Sequence, residues 1–154
     1  MNYKISIIVP FFYKEKKLIG VDTPNFDLLS FNKCLSAIFK LKYKNYEVIL
    51  VSDNSSQSSI ELTKKYPCKL VKLKNNNGAA NARNQGAKLA NGQILAFLDS
   101  DVEIKDNSLT IINDYNNKKN NEGILQGVYS HKPNYKSSMT QYWHSYQCYH
   151  VFFE

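Results

Sequence analysis

Four short apolar runs alternate with helix-type segments along this chain, and that alternation restricts the available folds more than any other feature. The first run, Ile5-Ser6-Ile7-Ile8-Val9, is rich in β-branched residues and ends at Pro10, the pattern of a buried strand. Residues 46–51, 68–73 and 93–98 supply three more strands. Between them lie helix-type stretches. Phe31, Cys34, Leu35, Ile38 and Leu41 fall on one helical stripe, with Ser30 positioned to cap it. Residues 55–65 read as a capped helix closed by Pro67, and the alanine-rich residues 79–90 as a third helix stopped by Asn91-Gly92. A short helix over 108–115 and a strand over 124–129 complete the pattern. Residues 14–24, polar and holding Gly20 and Thr23-Pro24, read as a loop. Strand–helix alternation of this kind implies an α/β fold with a mostly parallel sheet, right-handed crossovers and helices on both faces.

In such sheets ligands bind beyond the carboxyl ends of the strands. Three segments come directly after predicted strands: the apolar Pro10-Phe11-Phe12 and the polar Ser52-Asp53-Asn54 and Asp99-Ser100-Asp101. Asp99 and Asp101, two apart after an apolar run, project the same way if the chain stays extended. Carboxylates that close repel unless a cation is near, and hard Mg²⁺ or Mn²⁺ suits their oxygens. The alternative is a turn in which Asp99 only caps the next segment. Arg83, one turn into the third helix, can grip phosphate oxygens with two donors where the helix start also favours anions. It is the single arginine beside nineteen lysines, although an ordinary surface arginine would look the same. Asp53 could accept a hydrogen bond from a nucleobase or cap within Asp53-Asn54-Ser55-Ser56. Phe12 and Tyr13 could stack on a base or belong to the core.

Composition sets bounds. With 154 residues, 43% hydrophobic, the chain can bury a real core. Its net charge of +7 comes from lysines scattered without a dense run, which argues against a nucleic-acid face. Three cysteines, Cys34, Cys68 and Cys148, form neither a disulfide framework nor a zinc spacing, and reduced thiols in a cytoplasmic protein are expected. Residues 5–12 are apolar but interrupted by Pro10, with no cleavage site after them, so no signal peptide is expected. No run approaches the ~18 apolar residues that span a bilayer.

Taken together, four blocks resemble those of family 2 glycosyltransferases, which usually read Val-Pro-x-Tyr-Asn, Val-Asp-Asp-Gly-Ser, Asn-x-Gly…Arg-Asn and Asp-x-Asp in order. Here they read Val9-Pro10-Phe11-Phe12-Tyr13, Val51-Ser52-Asp53-Asn54-Ser55, Asn76-Asn77-Gly78…Arg83-Asn84 and Asp99-Ser100-Asp101. The resemblance covers residues 4–104, with a weaker tail to Gln126-Gly127. It implies a GT-A fold and a nucleotide-diphospho-sugar donor, with UDP favoured. By that resemblance Pro10 and Phe12 line the base pocket and Asp53 bonds the base. Arg83 lies near base and diphosphate, Asp99 reaches the ribose or the metal's water shell, and Asp101 holds Mg²⁺ or Mn²⁺. Family members invert the anomeric carbon with a carboxylate base. The expected acceptor is a glycan or lipid-linked species, in cell-surface polysaccharide synthesis.

Tyr13 in place of Asn, Ser52 in place of Asp, and an insertion over 14–27 depart from the family pattern. The family's base and acceptor site come later than residue 154, so we expect a donor-binding domain over 1–130 and the start of an acceptor-side segment over 131–154. In that tail Tyr142, Tyr146, Tyr149 and Phe153 share one helical face that could meet a further segment, pack on the sheet, or rest at the inner membrane surface. Two other readings are a nucleotide-sugar-binding module without catalysis and a sugar-nucleotide pyrophosphorylase. The second lacks the Gly-rich loop after the first strand, and no Gly-x-Gly-x-x-Gly supports a dehydrogenase.

Overall fold

The computed structural model describes residues 1–14, 26–118 and 123–127. The chain divides into two compact units, Met1–Asn120 and Asn121–Glu154. In the first unit the order is β1 (Ile5–Phe11), α1 (Phe26–Ile38), β2 (Tyr46–Asp53), α2 (Gln57–Thr63), β3 (Lys69–Leu73), α3 (Ala79–Ala87), β4 (Ile94–Phe97) and α4 (Ser108–Lys118). The four strands form one parallel sheet in the order β3-β2-β1-β4. In the second unit residues 123–127 carry no regular structure, so the expected strand is not seen over 124–127. Gly123, with φ +127°, and Gly127 flank this stretch, and glycine weakens a strand. Residues 128 and 129, the aromatic tail with Cys148, and residues 15–24 of the expected loop lie outside the described residues.

β1 is buried along its whole length, as a strand covered on both faces must be. Its alternating side chains feed two cores. Ile5, Ile7, Val9 and Phe11 pack with Val48 and Leu50 of β2, with Phe31, Cys34, Leu35, Ile38 and Leu41, and with Leu109 of α4. Ile8 faces the other way with Ile49, Val51 and Ala82 of α3. Each of these fully buried aliphatic or aromatic side chains contributes on the order of 1.5–3 kcal/mol by leaving water. Helix α3 lies close on the sheet because Gly86 has no side chain: a Cβ there would fall 2.5 Å from Ile8 Cγ2.

Helix boundaries differ from those expected. α1 begins at Phe26, and Ser30 sits inside it rather than capping it. Phe26-Asp27-Leu28-Leu29 holds no helix breaker, and burial of one face outweighs the weak cost of an interior serine. Leu41 lies past the helix end yet is fully buried. α2 spans Gln57–Thr63 rather than residues 55–65; it starts late because Ser55 is used elsewhere, its Oγ donating to the Phe11 carbonyl at 3.0 Å.

At the amino ends of the strands a polar clamp holds the turn between α3 and β4. The buried Ser6 Oγ donates to Glu47 Oε1 at 2.7 Å and accepts from Gly92 N at 2.8 Å. The same Glu47 oxygen accepts from Asn91 N at 2.7 Å. Burial by itself raises the Glu47 carboxyl, but the Ser6, Asn91 and Lys4 interactions outweigh it and hold the carboxyl below its ordinary value. Gly92 is required there by space, since a Cβ would meet Ser6 N at 2.6 Å and Lys4 O at 2.7 Å. Among the described residues, no helix is long and apolar enough to cross a membrane.

Candidate functional site

The sheet opens at one place. β1 pairs with β4 only as far as Ile8 and Phe97, whereas its pairing with β2 continues to Phe11 and Ser52. Strand order reverses between β1 and β4, which makes this the switch point where a parallel sheet leaves a crevice. Pro10 sits at that opening. The Ile8 carbonyl accepts from Leu98 N on the β4 side at 3.0 Å, and Pro10, two residues on, faces the same side past the last β1–β4 pair. Its missing N–H therefore costs no ladder bond.

A cleft of about 510 Å³ occupies the crevice, within the range of small-molecule sites. It is lined by Pro10, Phe11, Phe12, Tyr13, Ser30, Asp53, Ala79, Arg83, Asp99, Ser100 and Asp101. All six residues singled out in the sequence, Pro10, Phe12, Asp53, Arg83, Asp99 and Asp101, meet here from three strand ends and one helix. Phe12 is 39% exposed, with Lys14 Nζ 5.5 Å from its ring centroid, whereas Phe11 belongs to the core.

Asp53 ends β2 and is buried. Its carboxylate accepts from Asn77 N at 3.0 Å and from Gly78 N at 2.8 Å, so it ties down the loop that opens α3 instead of capping within residues 53–56. Gly78 has φ +87°, a conformation that suits glycine. Asn54 has φ 61°, which explains why asparagine can stand where the family pattern has glycine. With its entry fixed in this way, α3 turns its first N–H groups and positive dipole end toward the cleft, which Ala79 borders.

One turn in, Arg83 Nη2 donates to Asp99 Oδ1 at 2.5 Å. The pair is partly exposed, with side-chain accessibilities of 34% and 53%. Exposed pairs of this kind contribute only about 0–1 kcal/mol, so a ligand can break it cheaply. The Asp99 carbonyl accepts from Val102 N at 3.2 Å, closing the turn that carries Asp101. Below it lies Cys34, whose Sγ donates to the same carbonyl at 3.6 Å. Burial, then the nearby Asp101 charge, pushes the Cys34 thiol up to about 12, so it stays a protonated donor.

Three carboxylates and one guanidinium line the cleft, which is therefore anionic in a chain of net charge +7. Asp99 and Asp101 offer hard oxygen ligands. Among the described residues no group of three or more His, Cys, Asp or Glu side chains could hold a metal. A cation here would have to complete its shell with ligand oxygens and water, as Mg²⁺ commonly does.

Two contributions went unread in the sequence, although Tyr13 stood there as a residue that could stack on a base and Ser30 as a helix cap. The Tyr13 hydroxyl lies 2.8 Å from Ser100 Oγ, and Ser30 borders the cleft from inside α1. A tyrosine in an aromatic-rich stretch gave no sign of which loop it would reach, and Ser30 was expected at a helix end.

Comparison with known proteins bears on what such a cleft is for. Residues 28–152 match the profile of glycosyl transferase family 2. The glycosyltransferase GlyG of Streptococcus pneumoniae is 26% identical over 136 residues, 85% of this chain and 41% of that protein. The poly(ribitol-phosphate) β-N-acetylglucosaminyltransferase TarP of Staphylococcus aureus is 29% identical over 133 residues, 82% of this chain and 36% of that protein. The chain thus spans about two fifths or less of these relatives' length. A mannosyltransferase from Pyrobaculum calidifontis, solved with GDP-Man and Mn²⁺, superposes with a TM-score of 0.57 at 20% identity, over 71% of this chain and 31% of that one. That likeness shows the GT-A fold, and with the profile match covering most of the sequence, this chain belongs to glycosyl transferase family 2.

Proposed function

We propose that the cleft holds the diphosphate and nucleoside of a UDP-sugar, and that the protein transfers the sugar with inversion to a glycan or lipid-linked acceptor in cell-surface polysaccharide synthesis. The observation that carries this is the convergence of Pro10, Phe12, Asp53, Arg83, Asp99 and Asp101 on one crevice at the switch point of a parallel sheet. TarP, which by its name glycosylates poly(ribitol-phosphate), supports a cell-surface polymer as acceptor. Free thiols at Cys34 and Cys68 suit a cytoplasmic site.

Phe12 and Pro10 would flank the base, and Asp53 would bond it with a lone pair not used by Asn77 and Gly78. Arg83 would turn from Asp99 to the diphosphate. Asp101, with Asp99 beside it, would hold Mg²⁺ or Mn²⁺, as the Mn²⁺ of the mannosyltransferase complex suggests. The electrostatics favour this, because an anionic cleft repels a diphosphate unless a cation lies between them. When bound, the ion supplies charge stabilisation for the departing diphosphate. The cleft carboxylates are all engaged in these roles. We therefore expect the base that deprotonates the acceptor hydroxyl to be a carboxylate outside the cleft.

A thermal-shift panel of nucleotide sugars with and without Mn²⁺ tests the reading, since a ligand at 100 times its Kd stabilises by about 2.7 kcal/mol. A rise in Tm with UDP-sugars and Mn²⁺ is expected. No shift with any nucleotide sugar would remove the donor-site assignment.

A further inference from the structure

Tyr13, on the loop after β1, bonds the loops after β2 and β4 beside the cleft. Its carbonyl accepts from Ser56 N at 2.7 Å, and its N–H donates to Ser55 Oγ at 3.4 Å, which joins the end of β1 to the loop after β2. Its ring sits 5.3 Å from that of Phe31, which is fully buried and stacks on Phe11 at 4.7 Å. That packing anchors the phenol in the core, so its hydroxyl has little freedom. The hydroxyl lies 2.8 Å from Ser100 Oγ, and Ser100 stands between Asp99 and Asp101 in the chain of the turn after β4.

Asp99 has its own restraint in Arg83. Asp101 is exposed and sits one residue past Ser100, so the position of residue 100 sets where the Asp101 carboxylate can reach. We propose that Tyr13 is a positioning residue: through Ser100 it fixes the Asp99–Asp101 turn in the geometry that holds a divalent cation against a nucleoside diphosphate. The inference rests on the donor-site reading above and adds a residue that departs from the family pattern at its own position. Tyr13 needs no contact with the ligand for this. This effect of Tyr13 passes through its hydrogen bond with Ser100, and it therefore belongs to the metal-dependent part of binding.

The experiment is calorimetry of UDP binding to the full chain in Mn²⁺ and in EDTA, for the wild type, Tyr13→Phe, Ser100→Ala and the double variant. Tyr13→Phe keeps the ring packing, and an unchanged melting temperature in EDTA confirms the fold. Each single variant should lose about three- to tenfold of the Mn²⁺-dependent gain in affinity, read as the ratio of affinities in Mn²⁺ and in EDTA, the scale of one hydrogen bond. The double variant should lose no more than one single variant, because both remove the same contact. A wild-type gain that the single variants retain, or additive losses in the double variant, would overturn the role of Tyr13 and leave the donor site standing. A wild type that binds no UDP, or binds it equally in EDTA, would overturn the metal-assisted donor site and this inference with it.

Discussion

Arg83 and Asp99, sixteen residues apart in sequence, form an ion pair across the mouth of the cleft. The pair neutralises one of the three cleft carboxylates and holds the guanidinium where a diphosphate would replace its partner. Arg83→Lys keeps the charge but loses the planar two-donor fork. UDP binding should weaken about three- to tenfold while uridine binding barely changes, the scale of a lost charge-assisted hydrogen bond. Competition binding with both ligands checks it. Parallel losses for UDP and uridine would give Arg83 a structural role only.

Asp53 serves the fold as well as the site. Asp53→Ala removes the acceptor of two backbone N–H groups at the start of α3. Urea denaturation should show a loss of about 1–3 kcal/mol, the cost of stranding donors that are partly shielded from water. A stability within about 0.5 kcal/mol of wild type would mean that water satisfies these groups and that the loop does not depend on Asp53.

The Glu47 clamp has a pH signature. Its carboxyl lies below the ordinary value in the folded protein, because the Ser6, Asn91 and Lys4 interactions outweigh burial. A depressed carboxyl stabilises the fold fully above its unfolded pKa of about 4.3, and the contribution is lost as pH falls through the folded value. Glu47→Gln should therefore cost most near neutral pH and progressively less below about pH 4. Melting curves of both proteins from pH 7 to pH 3 should converge. A constant gap would assign the effect to packing rather than charge.

The sheet was legible in the sequence because a parallel strand buried on both faces leaves a nearly pure β-branched run, as in Ile5-Ser6-Ile7-Ile8-Val9. The site was legible for a related reason. Polar residues directly after such runs have nowhere to go but the open ends of the strands, and Asp53, Asp99 and Asp101 all stand there. Helix boundaries were less so: Ser30 carries the chemistry of a cap but lies within α1, and Ser55 bonds the Phe11 carbonyl instead of starting α2. The second use of Asp53 and the reach of Tyr13 depend on contacts 24 to 87 residues apart, which no local pattern encodes.

The central claim is that the Asp99–Asp101 turn binds a cation together with a nucleoside diphosphate, and calorimetry of UDP tests it most directly. Wild type should bind UDP more tightly in Mn²⁺ than in EDTA. Asp101→Ala should lose most of that difference while melting within a few degrees of wild type, since the residue is exposed on a turn. Equal affinity in Mn²⁺ and EDTA for the wild-type chain would contradict the account.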